Sequence, residues 1–230
     1  MNRYSASRIK TFSGCNLKYK LTYVDKIESP PVFSPEAEFG SFFHKFAELY
    51  DGTNFQTLVK LHREFKLTEE YKQEVSKSFK HFIEFFNKYK QFEYHTEKEY
   101  ELKTDDLWVH GILDRVMFGQ NKTILVDYKT SKLASSQYHL FQMKLYNYIL
   151  SRNLDISPSQ IKVIIYFPRP NQEEKLLFTD FQIDQFEKEL IHKIDEIETC
   201  TDWKATESYG CKWCNFFNTK YCMKTFGKNS

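Results

Sequence analysis

The hydrophobic period of this chain changes near residue 92, and that change sets which architectures are open to it. Ahead of it, apolar residues recur at helical spacing. SASRIKTF carries a serine cap, PEAEFGSFFHKFAELYD places Phe39, Phe43, Phe46 and Tyr50 at helical intervals, and TEEYKQEVSKSFKHFIEFFNKYK continues the pattern for several turns. Behind it, YHTEKEYELKT and LWVHGILDRVMF read as strands, GQNK as a turn and TILVDYKT as a third strand. A helix from about Ser136 to Arg152, a strand at IKVIIYF that ends at Pro168, a strand at KLLFTDF and a helix from about Asp184 to Thr199 complete the pattern. Helices, a three-strand meander, a helix and further strand predict one mixed α/β unit.

Charge and cysteine are both distributed unevenly. Residues 1–26 carry +5 and residues 203–230 carry +4, so a net charge of only +2 leaves the middle of the chain at −7. The small net charge argues against a generic nucleic-acid coat protein. Four of the five cysteines lie in the same basic ends: Cys15, then Cys211, Cys214 and Cys222 within CKWCNFFNTKYC. Cys200 stands outside that pattern, at the end of a helical stretch, where an inert buried thiol is expected. No apolar run approaches the ~18 residues of a membrane span and MNRYSASRIK lacks a signal-peptide core, so the expected location is cytoplasmic. Joining the ends would set Tyr4, Phe12, Tyr19, Trp213, Phe216, Phe217 and Tyr221 among lysines, a composition suited to single-stranded nucleic acid. A solvated basic surface over a packed aromatic core is the plainer reading of any one of these rings.

TILVDYKT ends on two charges that share a face, because side chains alternate along a strand and Asp127 and Lys129 are two apart. A turn symmetric about Gln120 and Asn121 pairs positions that sum to 241, which sets Asp114 of GILDR opposite Asp127. Opposed carboxylates with Cβ atoms about 5 Å apart repel unless a cation lies between them. Mg²⁺ suits such a site, since it takes one or two carboxylates and completes its shell with water and substrate phosphate. His44 follows Gly40 by one helical turn, and Gln142 precedes Tyr146 by one turn on a mostly apolar helix. A lone histidine on an aromatic helix is more often a hydrogen-bonded core residue than a ligand, and Gln142 with Tyr146 reads equally as an ordinary buried polar pair.

These pieces occur together and in order: SASRIKTFSGCNLKY, GSFFH, GILD, VDYKT, QMKLY and the terminal cysteines. In that combination the chain resembles the RecB-like branch of the PD-(D/E)xK nuclease superfamily, including CRISPR-associated and phage exonucleases that carry an iron-sulfur cluster. The resemblance implies a restriction-endonuclease-like three-layer αβα core with a mixed sheet. One nuclease domain over 1–230 is expected, with an iron-sulfur wrap at 1–26 and 200–230, a helical region at 36–90 and the nuclease core at 92–199. It implies that His44, Asp114, Asp127 and the Tyr128 carbonyl hold Mg²⁺ or Mn²⁺, that Lys129 stabilises charge at the scissile phosphate, and that Gln142 and Tyr146 line the active site. Cys15, Cys211, Cys214 and Cys222 would hold a 4Fe-4S cluster, with zinc as the alternative. Seven residues separate Cys214 from Cys222, a longer gap than the family's, which leaves Cys222 the least defined ligand.

The implied function is a metal-dependent DNA exonuclease acting on single strands or free ends, in repair, recombination or CRISPR adaptation. Recombination, replication or CRISPR-adaptation proteins would be its partners, without a membrane. The alternatives are a non-catalytic DNA-end-binding adaptor and a structure-specific endonuclease.

Overall fold

Five strands form a single sheet in the order β1 (Glu93–Lys103), β2 (Trp108–Gly119), β3 (Lys122–Tyr128), β4 (Ile161–Phe167) and β5 (Gln172–Leu177). The β2–β3 and β4–β5 pairs are antiparallel, and β3 and β4 are parallel, so the sheet is mixed. In this computed structural model, residues 2–29, 34–53, 60–61, 64–65, 69–120 and 122–223 are described. The β2–β3 register runs from Gly119↔Lys122 to Arg115↔Val126, every pair summing to 241 as the symmetric turn requires. The next positions in that register are Asp114 and Asp127.

Two compact units divide the chain. The larger takes in Phe33–Leu102 and His110–Glu187. Its first helical layer is α3 (Pro35–Leu49), entered through Ser34, whose hydroxyl accepts from the Ala37 amide, together with α4 (Glu69–Tyr89). Phe39, Phe42, Phe43 and Phe46 of α3 and Phe79, Phe82, Phe85 and Phe86 of α4 form one apolar cluster with Ile124, Val126 and Tyr128 of β3 and Ile164 and Tyr166 of β4. Replacing one such buried phenylalanine by alanine costs about 3–5 kcal/mol, so this layer is firmly seated. Alternation along β3 then sends Leu125 and Asp127 to the opposite face. There α5 (Leu140–Leu154) packs on β4 and ends at Asp155 in the left-handed region. Phe141 meets Phe186 edge-on, which brings the start of α6 (Asp180–Glu198) into the same layer. Helices therefore cover both faces of the sheet, an α/β architecture of restriction-endonuclease type.

The smaller unit comprises Met1–Val32, Lys103–Val109 and Lys188–Ser230. It contains α1 (Ala6–Gly14), α2 (Asn16–Tyr19) and a five-residue π turn at Lys20–Val24. The two ends of the chain meet here: Leu17 N donates to Lys204 O at 3.2 Å, and Tyr4 OH donates to Glu198 Oε1 at 2.6 Å.

Some expected boundaries shift for local reasons. The stretch KLLFTDF divides, because Thr179 accepts from the Gln182 amide while Gln182 Oε1 accepts from the Thr179 amide. That reciprocal capping box starts α6 at Asp180, four residues ahead of the sequence expectation, and ends β5 at Leu177. Ser136–His139 forms a 3-10 turn before α5 begins. No described helix is long and apolar enough to cross a membrane.

Candidate active site

Asp127 and Lys129 leave the end of β3 on one face, and Lys129 Nζ lies 2.7 Å from Asp127 Oδ2. Asp127 is 1% exposed, and its Oδ2 makes no aligned hydrogen bond, leaving the ammonium as its neighbour. Burial raises the Asp127 carboxyl above the ordinary carboxylate range; Lys129 opposes this and Asp114 adds to it. Asp114 points its two oxygens in different directions. Oδ2 accepts from the Tyr128 amide at 2.6 Å, and Oδ1 lies 3.4 Å from His44 Nδ1. The hairpin thus clamps its own second carboxylate through the backbone of the neighbouring strand.

His44 enters from α3, where flanking Phe43 and Phe46 are fully buried and Arg115 Nη2 donates to the Ala47 carbonyl at 2.9 Å. Burial by itself would lower the imidazole pKa. Contacts with Asp114 and then Glu97 overcome this and push it up to about 10. Glu97, on β1, was absent from the set expected on sequence grounds. Its Oε1 lies 3.8 Å from His44 Nδ1, and its φ of 46° makes it the strand residue held in the left-handed region. For a residue with a Cβ that conformation costs about 1–2 kcal/mol. Thr96 Oγ1 reaches the Glu48 carbonyl at 3.5 Å, bringing this part of β1 against the last turn of α3. The ligand atoms of His44, Glu97 and Asp114 all lie within 4.8 Å of one another. An open cavity of about 530 Å³, lined by Gly40, Ser41, His44, Lys45, Glu48 and Glu97, gives access to His44 and Glu97.

Gln142 Nε2 donates to Tyr146 OH at 2.8 Å, so the pair is bonded within α5. Burial raises the Tyr146 phenol, Gln142 opposes the shift, and Asp127, Asp114 and Glu97 add to it, which places the hydroxyl in the field of the acidic group. Gly111 makes this position available: a Cβ there would lie 2.3 Å from Tyr146 Cε1. The glycine of GILD is therefore a site of ring contact. Gly40 accommodates a side chain too, Thr130 Oγ1 lying 3.2 Å from where a Cβ would stand. The Tyr128 side chain points away into the aromatic cluster, against Phe43 and Phe82.

Three carboxylates and one imidazole at the end of β3 make a donor set that fits a hard divalent cation. Asp127 stands outside the group that converges within 4.8 Å, held instead by Lys129.

The smaller unit holds a second cluster. Cys15, Cys211, Cys214 and Cys222 line one cavity of about 440 Å³ together with Lys10 and Lys18, whereas Cys200 is not among its walls. Cys200 is half-buried rather than fully buried, because it follows the end of α6 and its thiol turns to the Asp202 carbonyl at 3.6 Å. Cys15 Sγ accepts from the amides of Lys18 and Thr206, both at 3.4 Å. Among the described residues no three of these thiols converge within 4.8 Å. Of the aromatic residues expected among the basic ends, Tyr4, Tyr19 and Phe216 are buried and present no face to a base. The reason is packing: Tyr19 stacks on Trp203, and Arg8 lies over the Tyr4 ring. Trp213 is 65% exposed and Tyr221 37%.

A mixed sheet between helical layers, with opposed aspartates and a lysine at the end of a central strand, defines a restriction-endonuclease-like fold bearing an acidic cluster. A sequence profile described as the PD-(D/E)XK nuclease superfamily matches residues 3–219, and the chain belongs to that superfamily. A crystal structure of a candidate exonuclease from Eubacterium rectale aligns with a TM-score of 0.58 at 13% identity, covering 90% of this chain and 91% of that one, a likeness of fold. The structure of the protein SSO0001 aligns with a TM-score of 0.46 at 12% identity over 94% of this chain and 84% of that one. No curated protein sequence matches the chain.

Proposed function

We propose that this nuclease is a Mg²⁺- or Mn²⁺-dependent exonuclease of DNA, acting on single strands or free ends, and that its terminal cysteines carry a 4Fe-4S cluster. The observation that carries the catalytic reading is the acidic hairpin itself: Asp127 buried against Lys129, with Asp114 in the opposed register position and turned toward His44. A divalent cation bound there supplies activation of water and neutralisation of charge on the phosphoryl oxygens. His44, Asp114, Asp127 and the Tyr128 carbonyl are the residues that would hold it. Lys129 sets an ammonium where negative charge builds during in-line displacement, a kind of stabilisation whose removal commonly costs about 10²–10³-fold. Gln142 holds the Tyr146 hydroxyl within the field of the carboxylates, where it would offer a donor to the strand being cut.

The spacing of the cysteines favours a cluster over zinc: zinc sites usually show two close pairs, whereas here one close pair, Cys211 and Cys214, stands with two single cysteines. A cluster would be held by the four thiolates, and the two amides directed at Cys15 Sγ are the kind of hydrogen bond that tunes such a group.

Digestion of end-labelled linear and circular single-stranded DNA, with Mn²⁺, Mg²⁺ or EDTA, tests the reading. Linear DNA should be degraded with either cation, circular DNA should persist, and EDTA should stop the reaction. Cutting of the circle would make the enzyme an endonuclease, and binding without cutting would make it an adaptor.

A further inference from the structure

We infer that Glu97 is a direct ligand of the divalent cation, and that with His44 and Asp114 it forms a three-donor site able to capture the ion before any nucleic acid arrives. This rests on the reading of the acidic centre as a cation site. Three observations support it. First, the atoms that converge within 4.8 Å are those of His44, Glu97 and Asp114, a group built from α3, β1 and β2. Second, Glu97 has a left-handed backbone in the middle of an eleven-residue strand, which breaks the alternation of β1 locally and aims the carboxylate at His44. Third, the buried Oδ2 of Asp127, next in the hairpin register, faces a lysine and not this group. Asp127 would then complete the shell, while capture of the ion falls to the other three donors.

The consequence is chemical. Two aspartates alone would wait for substrate phosphate to complete a Mg²⁺ shell. An imidazole and a further carboxylate raise the protein's own share of the shell and favour Mn²⁺, for which mixed nitrogen and oxygen donors are well suited. A cation held without DNA is therefore the expected resting state.

Isothermal titration of the full-length protein with MnCl₂, without DNA, tests the assignment for the wild type, Glu97→Gln and Asp114→Asn. Glu97→Gln keeps the side-chain length and removes the charge. It should weaken Mn²⁺ binding about tenfold or more, since even outer-shell partners of metal ligands commonly contribute about 10–100-fold. Its metal-free melting temperature should change little, because loss of the attraction to the His44 imidazolium is offset by relief of the crowding with Asp114. Wild-type Mn²⁺ affinity in Glu97→Gln, with binding lost in Asp114→Asn, would overturn the role of Glu97 and leave the metal-nuclease reading standing. Unchanged binding in both variants would overturn the cation site itself. A fall in the metal-free melting temperature with unchanged affinity would make Glu97 a structural residue only.

Discussion

The acidic centre and the cysteine cavity are both clusters of metal-ligating side chains, yet they are built in different ways. The first stands on regular elements: His44 on a helix packed by phenylalanines, Asp114 and Asp127 on a hairpin in strict register, Glu97 on the strand beside it. Three of its donors already converge within 4.8 Å. The second is made from helix ends, a 3-10 turn and isolated bridges, Phe217↔Cys222 and Thr219↔Cys222 among them. Its four thiols surround about 440 Å³ without converging. Backbone hydrogen bonds and a packed core hold ligands in place before an ion arrives, whereas turns of the chain ends take their final geometry from what they bind. The first site is preformed; on the proposed reading the second would be completed by its cluster.

The largest effect that sharpens this contrast is on stability. Structural metals in small cysteine sites contribute on the order of 10 kcal/mol to folding. Cys214→Ser should therefore lose bound iron and the visible charge-transfer bands and destabilise the terminal segments, read by hydrogen exchange over residues 2–29 and 200–223. Mn²⁺ affinity at the acidic centre should be unchanged. Loss of Mn²⁺ binding in this variant would break the contrast.

Next comes Lys129→Ala. Removing the ammonium should cut cleavage by about 10²–10³-fold while the iron content and circular dichroism stay those of the wild type. Full activity would refute the role assigned to Lys129.

The smallest effect is the pH dependence of cation binding. His44 is pushed up to about 10 by Asp114 and Glu97 against its burial, and Asp127 is raised by burial. Both groups hold protons in the cation-free protein at neutral pH or just below it, and a cation must displace them. Affinity for Mn²⁺ should accordingly rise with pH by about tenfold per unit between pH 6 and 8, as expected for release of the His44 proton, and more steeply below that range as Asp127 protonates. Titration in two buffers of different ionisation enthalpy counts the protons released. A flat profile would show that the imidazole is not a ligand.

Much of the acidic site was legible in the sequence because its determinants are local. GQNK implies a symmetric two-residue turn, alternation then pairs Asp114 with Asp127, and D-x-K places Lys129 on the same face. Glu97 was not legible. Among Glu93, Glu97, Glu99 and Glu101 nothing distinguishes one acid, and it is a left-handed backbone beside the end of α3 that selects it. A reading of T-x-x-Q as a capping box at Thr179 would have found the true start of α6, so that signal was present but local β propensity outweighed it. The aromatic residues of the basic ends were ambiguous for the opposite reason: composition cannot say which rings are consumed by packing, and Tyr4 and Tyr19 are.

By itself the sequence determined the features that depend on near neighbours along the chain: the periods, the caps, the hairpin register and the face shared by Asp127 and Lys129, all consequences of backbone geometry over a few residues. Only the tertiary structure decided which distant groups meet, such as Glu97 with His44 and Tyr19 with Trp203. Those meetings arise from the summed packing of whole helices and strands, and no short stretch of residues encodes that sum.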